Sequence, residues 1–332
     1  MVRATLRLAA LALTAIQQTG GQQAGRPQDA IGAVTSALAT HRLVAIGEMH
    51  RNQQVHDFIV SLVRDPRFLP KGGDVVVEFG SARYQDVMDR YVSGDSVDSK
   101  TLSKVWRETV NILVWDAPVY ERFFAVVRDV NRTRSPANRL RVIVADPAFD
   151  WRAVDSRAKW ERIAASRDPT FADRIERDVL APGHQALLIF GSGHVQHETA
   201  FGRYDKHGNP VAPNLAELLD RKHPGATFYI TADWMNAQTD ALLAGTRFPA
   251  VLPLEGTRLG AIGIGLPKPT LGELADAFLY LGPESSLTTS KPDPLVYSDT
   301  VYLRELLRRD GIQGGANAKE LDRLSKRFLK RR

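Results

Sequence analysis

The sequence predicts an α/β protein, a three-layer α/β/α sandwich built on a largely parallel central sheet. Three observations carry this. Short runs rich in Val and Ile recur without polar alternation, the mark of strands covered on both faces. Longer stretches between them place apolar residues at helical spacing. The two kinds of segment alternate, and that order builds parallel sheets from strand–helix–strand units.

Taken in order, "RLVAIGE" from Arg42 is the first expected strand. The helix after it carries Val55, Phe58, Ile59, Leu62 and Val63 at i, i+3, i+4, i+7 and i+8. "DVVVEFG" from Asp74 is the second strand, followed by helical "ARYQDVMDRYV". A long segment with Trp106 and Trp115 leads to helical "VYERFFAVVRDVN" and then a third strand, "RLRVIVADP". "HQALLIFGSGH" holds the fourth strand and "ATFYITADW" the fifth, with helical "NLAELLDRK" between them. From about Phe248 prolines and glycines punctuate the chain, and covering loops are expected. A late strand in "ELADAFLYLGPES" and a capped helix, "SDTVYLRELLRRDGI", ending at Gly311, complete the far side of the domain.

The start has its own texture. Arg3 and Arg7 precede an apolar run from Leu8 to Ile16, and a Gln/Gly-rich stretch follows. The run is too short to span a bilayer, which takes about 20 residues. It fits a secretory signal peptide, so export to a periplasmic or extracellular space is expected. The expected organisation is a signal peptide and polar leader over 1–25, one α/β domain over 26–312, and a basic helical tail over 313–332. In that tail Leu321, Leu324 and Phe328 share one face, read as a terminal helix docking its apolar stripe.

Composition excludes several classes. The chain of 332 residues contains no cysteine, so disulfide frameworks, thiolate metal sites and cysteine nucleophiles are ruled out. The net charge of +6 owes much to the C-terminal tail, so nucleic acid is not an expected partner. After the leader, no segment is long and apolar enough to be a membrane helix. A small-molecule or peptide ligand is the expected partner.

The chemistry gathers at strand ends. Glu48 and His50 follow the first strand, Glu78 closes the second, Asp146 the third, and His194 follows the fourth. Parallel strands put these ends on one edge, where ligands bind in open α/β sheets. Gly47-Glu48-Met49-His50 and Gly191-Ser192-Gly193-His194 are both Gly-x-x-His motifs after an apolar strand. Each glycine is read as permitting a sharp exit from the sheet. An imidazole of near-neutral pKa is a natural general base, and carboxylates can tune it. His50, Glu78 and His194 would also suit zinc or manganese with an open water position. Asn52, His56 and Asp146 are candidate ligand-binding residues; His56 borders the apolar stripe, so a structural role stays equally open.

With Glu78 between them, the paired motifs resemble the superfamily of erythromycin esterases, Tiki/TraB-type proteins and ChaN haem-uptake lipoproteins, over roughly Arg42 to Asp233. "GEMHRNQQVH" is closest to the ChaN pattern, with Asn52 and His56 in the matching places. Erythromycin esterases place one more residue between the acid and the first histidine, so macrolide specificity is not carried over. Without cysteine the chain is not a lipoprotein. The resemblance implies a hydrolytic centre, with His50 activating water and Glu48, Glu78 and His194 orienting it or holding a metal. The ChaN branch implies instead a haem carrier, for which Tyr84, Tyr120 and Tyr204 are available axial residues.

Other motifs do not hold. Gly-x-Ser-x-Gly would need glycines where Phe190 and His194 stand, and Phe201 occupies the second histidine position of the zincin pattern begun by His197-Glu198. "GAIGIG" lacks dinucleotide-fingerprint spacing, and no Walker A sequence is present.

Overall fold

A computed structural model describes residues 25–197, 212–264 and 269–329. The expected leader up to residue 24, Tyr204, His207, the Glu198–Phe201 part of the zincin-like pattern and the final basic residues lie outside them. Eight strands form one sheet: β1 (Gln28–Asp29), β2 (Leu43–Glu48), β3 (Asp74–Ser81), β4 (Arg141–Asp146), β5 (Ala186–Gly191), β6 (Thr227–Thr231), β7 (Ala250–Pro253) and β8 (Ala277–Tyr280). Their spatial order is β1-β7-β8-β6-β2-β5-β3-β4. The six strands from β8 to β4 are parallel, and β7 pairs antiparallel with both of its neighbours, β8 and β1, at one edge.

All six residues of β2, all eight of β3 and all six of β5 are buried. Successive side chains point to opposite faces, so a strand buried throughout needs cover on both. On one face Val44, Ile46, Val75, Val77 and Ile189 pack under the helices α1 (Ala30–Thr40), α2 (Gln53–Arg64), α3 (Gln85–Ser93), α4 (Ser99–Arg107) and α5 (Pro118–Thr133). The short helix α6 (Arg157–Ala165) comes next, then α7 (Arg167–Ile175), α8 (Leu215–Lys222) and α9 (Ala237–Leu243). Of these, α7, α8 and α9 cover Leu43, Ala45, Val76, Leu188 and Phe190 on the other face. This is the three-layer α/β fold with a mostly parallel sheet.

The far side differs in detail from the pattern read in sequence. "PAVLP" forms β7, a four-residue strand whose prolines lie at its margins, where a missing N–H costs no central ladder bond. After α10 (Leu271–Leu274), the capped helix α11 spans Thr300–Gln313 and runs through Gly311. It stops at Gly314, whose φ of 97° supplies the left-handed turn. Asp299 caps its other end, accepting from Val301 and Tyr302 N–H. The last helix, α12 (Ala318–Phe328), buries Leu321 and Leu324 in a separate cluster with Leu303, Leu306, Trp151 and Ile112.

The sheet order positions the site. The chain leaves β2, builds β3 and β4 outward, then returns to insert β5 between β2 and β3 before crossing to β6. The carboxyl ends of β2, β5 and β3 are therefore neighbours, and a crevice opens where the winding reverses.

Candidate active site

His50 stands on a short turn between β2 and α2. Asn52 caps α2 by accepting the Val55 N–H at 3.1 Å. Arg51, between them, adopts a left-handed φ of 69° and donates its backbone N–H to the Tyr120 hydroxyl at 2.8 Å. That conformation is costly for a residue with a Cβ. It turns the chain so that His50 rises over the strand end. His50 Nδ1 lies 2.8 Å from Glu48 Oε1, and its ring meets the indole of Trp115 edge-on. Glu48 is ionised and can only accept, so Nδ1 carries the proton, and in the neutral ring Nε2 is the basic nitrogen.

Glu48 serves two imidazoles. Its other oxygen, Oε2, is 3.6 Å from Nε2 of His56, which is fully buried between Phe79 and Tyr120. Burial pushes the Glu48 carboxyl up, but the His50 hydrogen bond and the neighbouring His56 imidazole outweigh it and leave the group below its ordinary value. Burial likewise lowers His50, and its Glu48 bond with the charges of Glu78 and Glu48 reverses the sign, so His50 is a stronger base than a free imidazole.

Glu78 is the hub. Its Oε2 accepts the Gly191 N–H at 2.7 Å, and its Oε1 receives Arg167 Nη2 at 2.6 Å. The same Oε1 lies 3.6 Å from His194 Nε2 and 4.0 Å from His50 Nε2. Against the desolvation of complete burial, the charges of His194 and Arg167 hold Glu78 well below the usual carboxylate range. Arg167 also binds Asp146 Oδ1 at 2.9 Å, and Asp146 Oδ2 accepts the Val110 N–H at 2.7 Å. Asp146 is fully buried beneath the site, with a pKa pushed up by burial to about 6. It anchors Arg167 and does not line the cleft.

His194 is held from both sides, by Asp168 Oδ1 at 2.7 Å on Nδ1 and by Glu78 near Nε2. Burial lowers it, but the Glu78 charge and the Asp168 hydrogen bond dominate, raising its pKa to about 9. It is therefore an imidazolium at neutral pH. The same Asp168 oxygen accepts the Leu215 N–H at the start of α8, fixing the carboxylate by a helix N-terminus.

The two glycines serve space rather than backbone freedom. Gly191 has φ −57°, open to any residue. A Cβ there would stand 2.6 Å from Cε1 of His50 and 3.2 Å from Glu78 Oε2. A Cβ on Gly47 would meet the Ser192 backbone at 3.2 Å. The missing side chains let the His50 ring and the β5 exit lie flat against their neighbours. The expected sharp exit from the sheet is thus not what these glycines supply.

The site opens into a cleft of about 520 Å³, bordered by Glu48, His50, Asp168, His194, Asp233 and Trp234. Asp233 and Trp234 come from the end of β6, and Trp234 takes a left-handed φ of 74°. Desolvation raises the Asp233 carboxyl above its ordinary range, against the bond from Trp234 N–H.

The donor set does not fit a divalent metal held by His50, Glu78 and His194. The Arg167 guanidinium already neutralises the Glu78 oxygen that both imidazoles face, and the second oxygen is taken by Gly191 N–H. Among the described residues no group of three His, Asp or Glu side chains is arranged for a metal. Haem fits poorly as well. Its two carboxylates would meet Glu48, Asp168 and Asp233, and no Lys or Arg among the described residues borders the cleft. The Tyr84 hydroxyl is bonded to Glu108, and Tyr120 is buried behind His56.

The structure thus brings Glu48, His50, Glu78 and His194 together, with His56 behind Glu48 and Asp146 behind Arg167. Asn52 caps α2 and reaches only a smaller neighbouring pocket. Sequence reading missed Arg167, Asp168 and Asp233. The first two stand at the start of α7, whose apolar stripe is only Phe171 and Ile175 amid polar residues. The one available signal was a buried-type role for an adjacent Arg-Asp pair, which sequence alone does not distinguish from a solvated face.

No family model and no curated protein matches the chain. Solved structures share its fold. A succinoglycan biosynthesis protein is 9% identical, with 81% of this chain and 96% of that one covered and a TM-score of 0.54. A Bacillus cereus protein is 10% identical, with 80% and 94% covered and a TM-score of 0.51. An erythromycin esterase mutant in its open conformation is 10% identical, with 75% and 92% covered and a TM-score of 0.50. The chain has an erythromycin-esterase-like fold.

Proposed function

We propose that the protein is a hydrolase that cleaves an ester or amide with water activated by His50. The observation that carries this reading is the Glu48–His50 pair. The carboxylate fixes Nδ1–H at 2.8 Å and leaves Nε2 facing a cleft beside a second, cationic imidazole. Two histidines whose surroundings assign them opposite duties make a base and an electrostatic partner.

In the reaction, water oxygen adds to the carbonyl carbon while its proton passes to His50 Nε2. Glu48 stabilises the imidazolium so formed, as the third group does in other base–acid relays. The His194 imidazolium, which borders the cleft, offsets the charge developing on the carbonyl oxygen. Collapse breaks the C–O or C–N bond, and the proton on His50 goes to the leaving atom. Water is thereby divided between the two products and the site is restored. No step uses a metal.

The resemblance of "GEMHRN" to the ChaN pattern supports haem binding as the other reading, but the acidic border of the cleft opposes it. The N-terminal pattern of Arg3, Arg7 and a short apolar run supports action after export. No described helix is long and apolar enough to cross a membrane.

The test is an ester and amide screen on wild type, His50→Ala and Glu78→Gln. Turnover lost in both variants, with unchanged circular dichroism, is the expected result. Turnover that survives His50→Ala removes the reading, and a saturable Soret band on haem titration replaces it with the carrier.

A further inference from the structure

His50 does not stand at the bottom of one cleft; it stands between two. On its other side lies a second cavity of about 250 Å³. Met49, His50 and Asp233 border both cavities and form the ridge that divides them. The smaller one is otherwise walled by Ala232, Met235, Leu287 and Thr289, with the polar Thr288 and Glu284 at its border.

The outer wall of this small chamber is pinned. Gln53 N–H donates to the Thr288 carbonyl at 2.9 Å, and Ser290 N–H to the Arg51 carbonyl at 2.7 Å. Thr288 N–H donates to Gln54 Oε1 at 2.8 Å, and Asn52 bridges to Thr289. Farther along, Glu284 N–H reaches Asp240 Oδ1 at 3.1 Å. The strap from 284 to 290 is thus tied both to the entry of α2 and to α9, and it holds the chamber open beside His50.

The ridge is also where the backbone is strained. Three non-glycine residues have positive φ among the described residues, and two of them, Arg51 and Trp234, directly follow the ridge residues His50 and Asp233. A left-handed φ is costly for a residue with a Cβ, and such strain is kept where it aims a functional group.

We infer that the small chamber binds one half of the scissile substrate, a short aliphatic group, while the larger cleft binds the other half across the His50 ridge. This rests on the hydrolase reading and names its substrate class: an ester or amide with one compact, apolar side and one larger, more polar side. The chamber is smaller than the roughly 300–1,000 Å³ of a site for a drug-sized ligand, so it takes a fragment. Met235 and Leu287 in its wall, with Met49 on the ridge, suit alkyl groups of varied shape, because thioethers adapt their packing. The scissile carbonyl then lies over the ridge, where His50 Nε2 meets it, and Asp233 faces both halves.

The experiment uses the full chain and 4-nitrophenyl esters of acetate, butyrate, hexanoate and octanoate, with Thr289→Trp to fill the chamber and Leu287→Ala to enlarge it. Thr289 is exposed, so its replacement is not expected to unfold the protein. Wild type should lose at least 10-fold in kcat/KM once the acyl chain outgrows the chamber. Thr289→Trp should move that cut-off to shorter chains and Leu287→Ala to longer ones. A cut-off unmoved in both variants, or one that moves the same way in both, overturns the inference. Should neither these esters nor the amide screen show turnover, the hydrolase reading fails separately, and the chamber is then decided by methyl NMR of carbon-13-labelled methionine. Added cyclohexanol should shift the Met235 signal, and not that of buried Met88, in wild type but not in Thr289→Trp. An unshifted Met235 signal overturns the chamber as a binding site.

Discussion

The two ends of the same strands carry the same chemistry put to different use. At the amino end, Asp74 opens β3 and holds His184 Nδ1 at 2.8 Å, with the imidazole pressed on a glycine, Gly72, whose φ is 91°. At the carboxyl end, Glu48 holds His50 and Asp168 holds His194 at similar distances, and His50 is pressed on Gly191. The lower pair, with the charges of Arg141 and Asp178 nearby, closes a turn, and Arg42 bonds the His184 and Leu180 carbonyls. Burial leaves Asp74 above its ordinary pKa despite its partner. The upper pairs converge on Glu78 and Arg167, so burial is overcome, the imidazoles gain basicity, and one ring faces a cavity. A buried acid–histidine pair is a latch by default. It becomes a reactive centre when several pairs share one counter-charge and one ring nitrogen is left without a protein partner.

Breaking the upper pairs should cost activity, and breaking the lower one only stability. The largest effect is expected for His50→Ala, which should lower kcat by about 10²–10⁴-fold, the span of general-base catalysis. It also leaves the buried Glu48 without its Nδ1–H donor, so stability should fall by about 1–3 kcal/mol while the fold persists; a fully active variant would break the comparison.

Arg167→Met should be felt in the fold. It leaves Asp146 buried without a counter-ion and Glu78 with only the His194 imidazolium, at a cost of about 3–5 kcal/mol by denaturant titration.

The pH dependence sharpens the contrast. His194 rises from an unfolded value near 6.5 to about 9. The stability it contributes is therefore full below pH 6.5 and lost as pH rises through 9, amounting to up to roughly 3 kcal/mol. His197, between Asp220 and Asp276, titrates in the same window at about 9. His194→Gln and His197→Gln should each flatten part of the alkaline decline in stability. Only His194→Gln should also change the activity profile, which rises as His50 deprotonates and falls as His194 does. An unchanged activity profile in His194→Gln would remove its electrostatic role.

Gly191→Ala places a methyl where the His50 ring lies. Activity should fall about 10–100-fold, as expected for a small displacement of the base, and kcat should bear the loss. The smallest effect is expected for His184→Ala, which leaves Asp74 without its partner and costs about 1–3 kcal/mol of stability. Its turnover should stay within twofold of wild type.

Much of this was legible in the chain. The runs "LVAIGE", "DVVVEFG", "RVIVAD" and "ALLIFG" each became a parallel strand, because uniform Val/Ile content has no solvent-facing side to offer. Parallel strands share one carboxyl edge, so acids and histidines at their ends had to come near each other. Strand order was not legible: nothing in "ALLIFG" says that it inserts between β2 and β3 rather than beside β4. Nor were Arg167 and Asp168, since α7 reads as a polar helix until its first turn is buried under His194 and Glu78. Asp146 looked like a cleft residue by position, and the guanidinium drew it into the core instead. Gly191 was read for its backbone, whereas its part in the site is the space it leaves.

By itself the sequence determined the layers, the shared edge and the identity of the residues delivered there, because burial pattern and strand direction are local consequences of side-chain type. Only the tertiary structure decided which histidine is cation and which is base, and how the cleft divides around His50. Those outcomes depend on charges and walls brought from helices and straps far along the chain, where electrostatic interaction falls with distance in space and takes no account of distance in sequence.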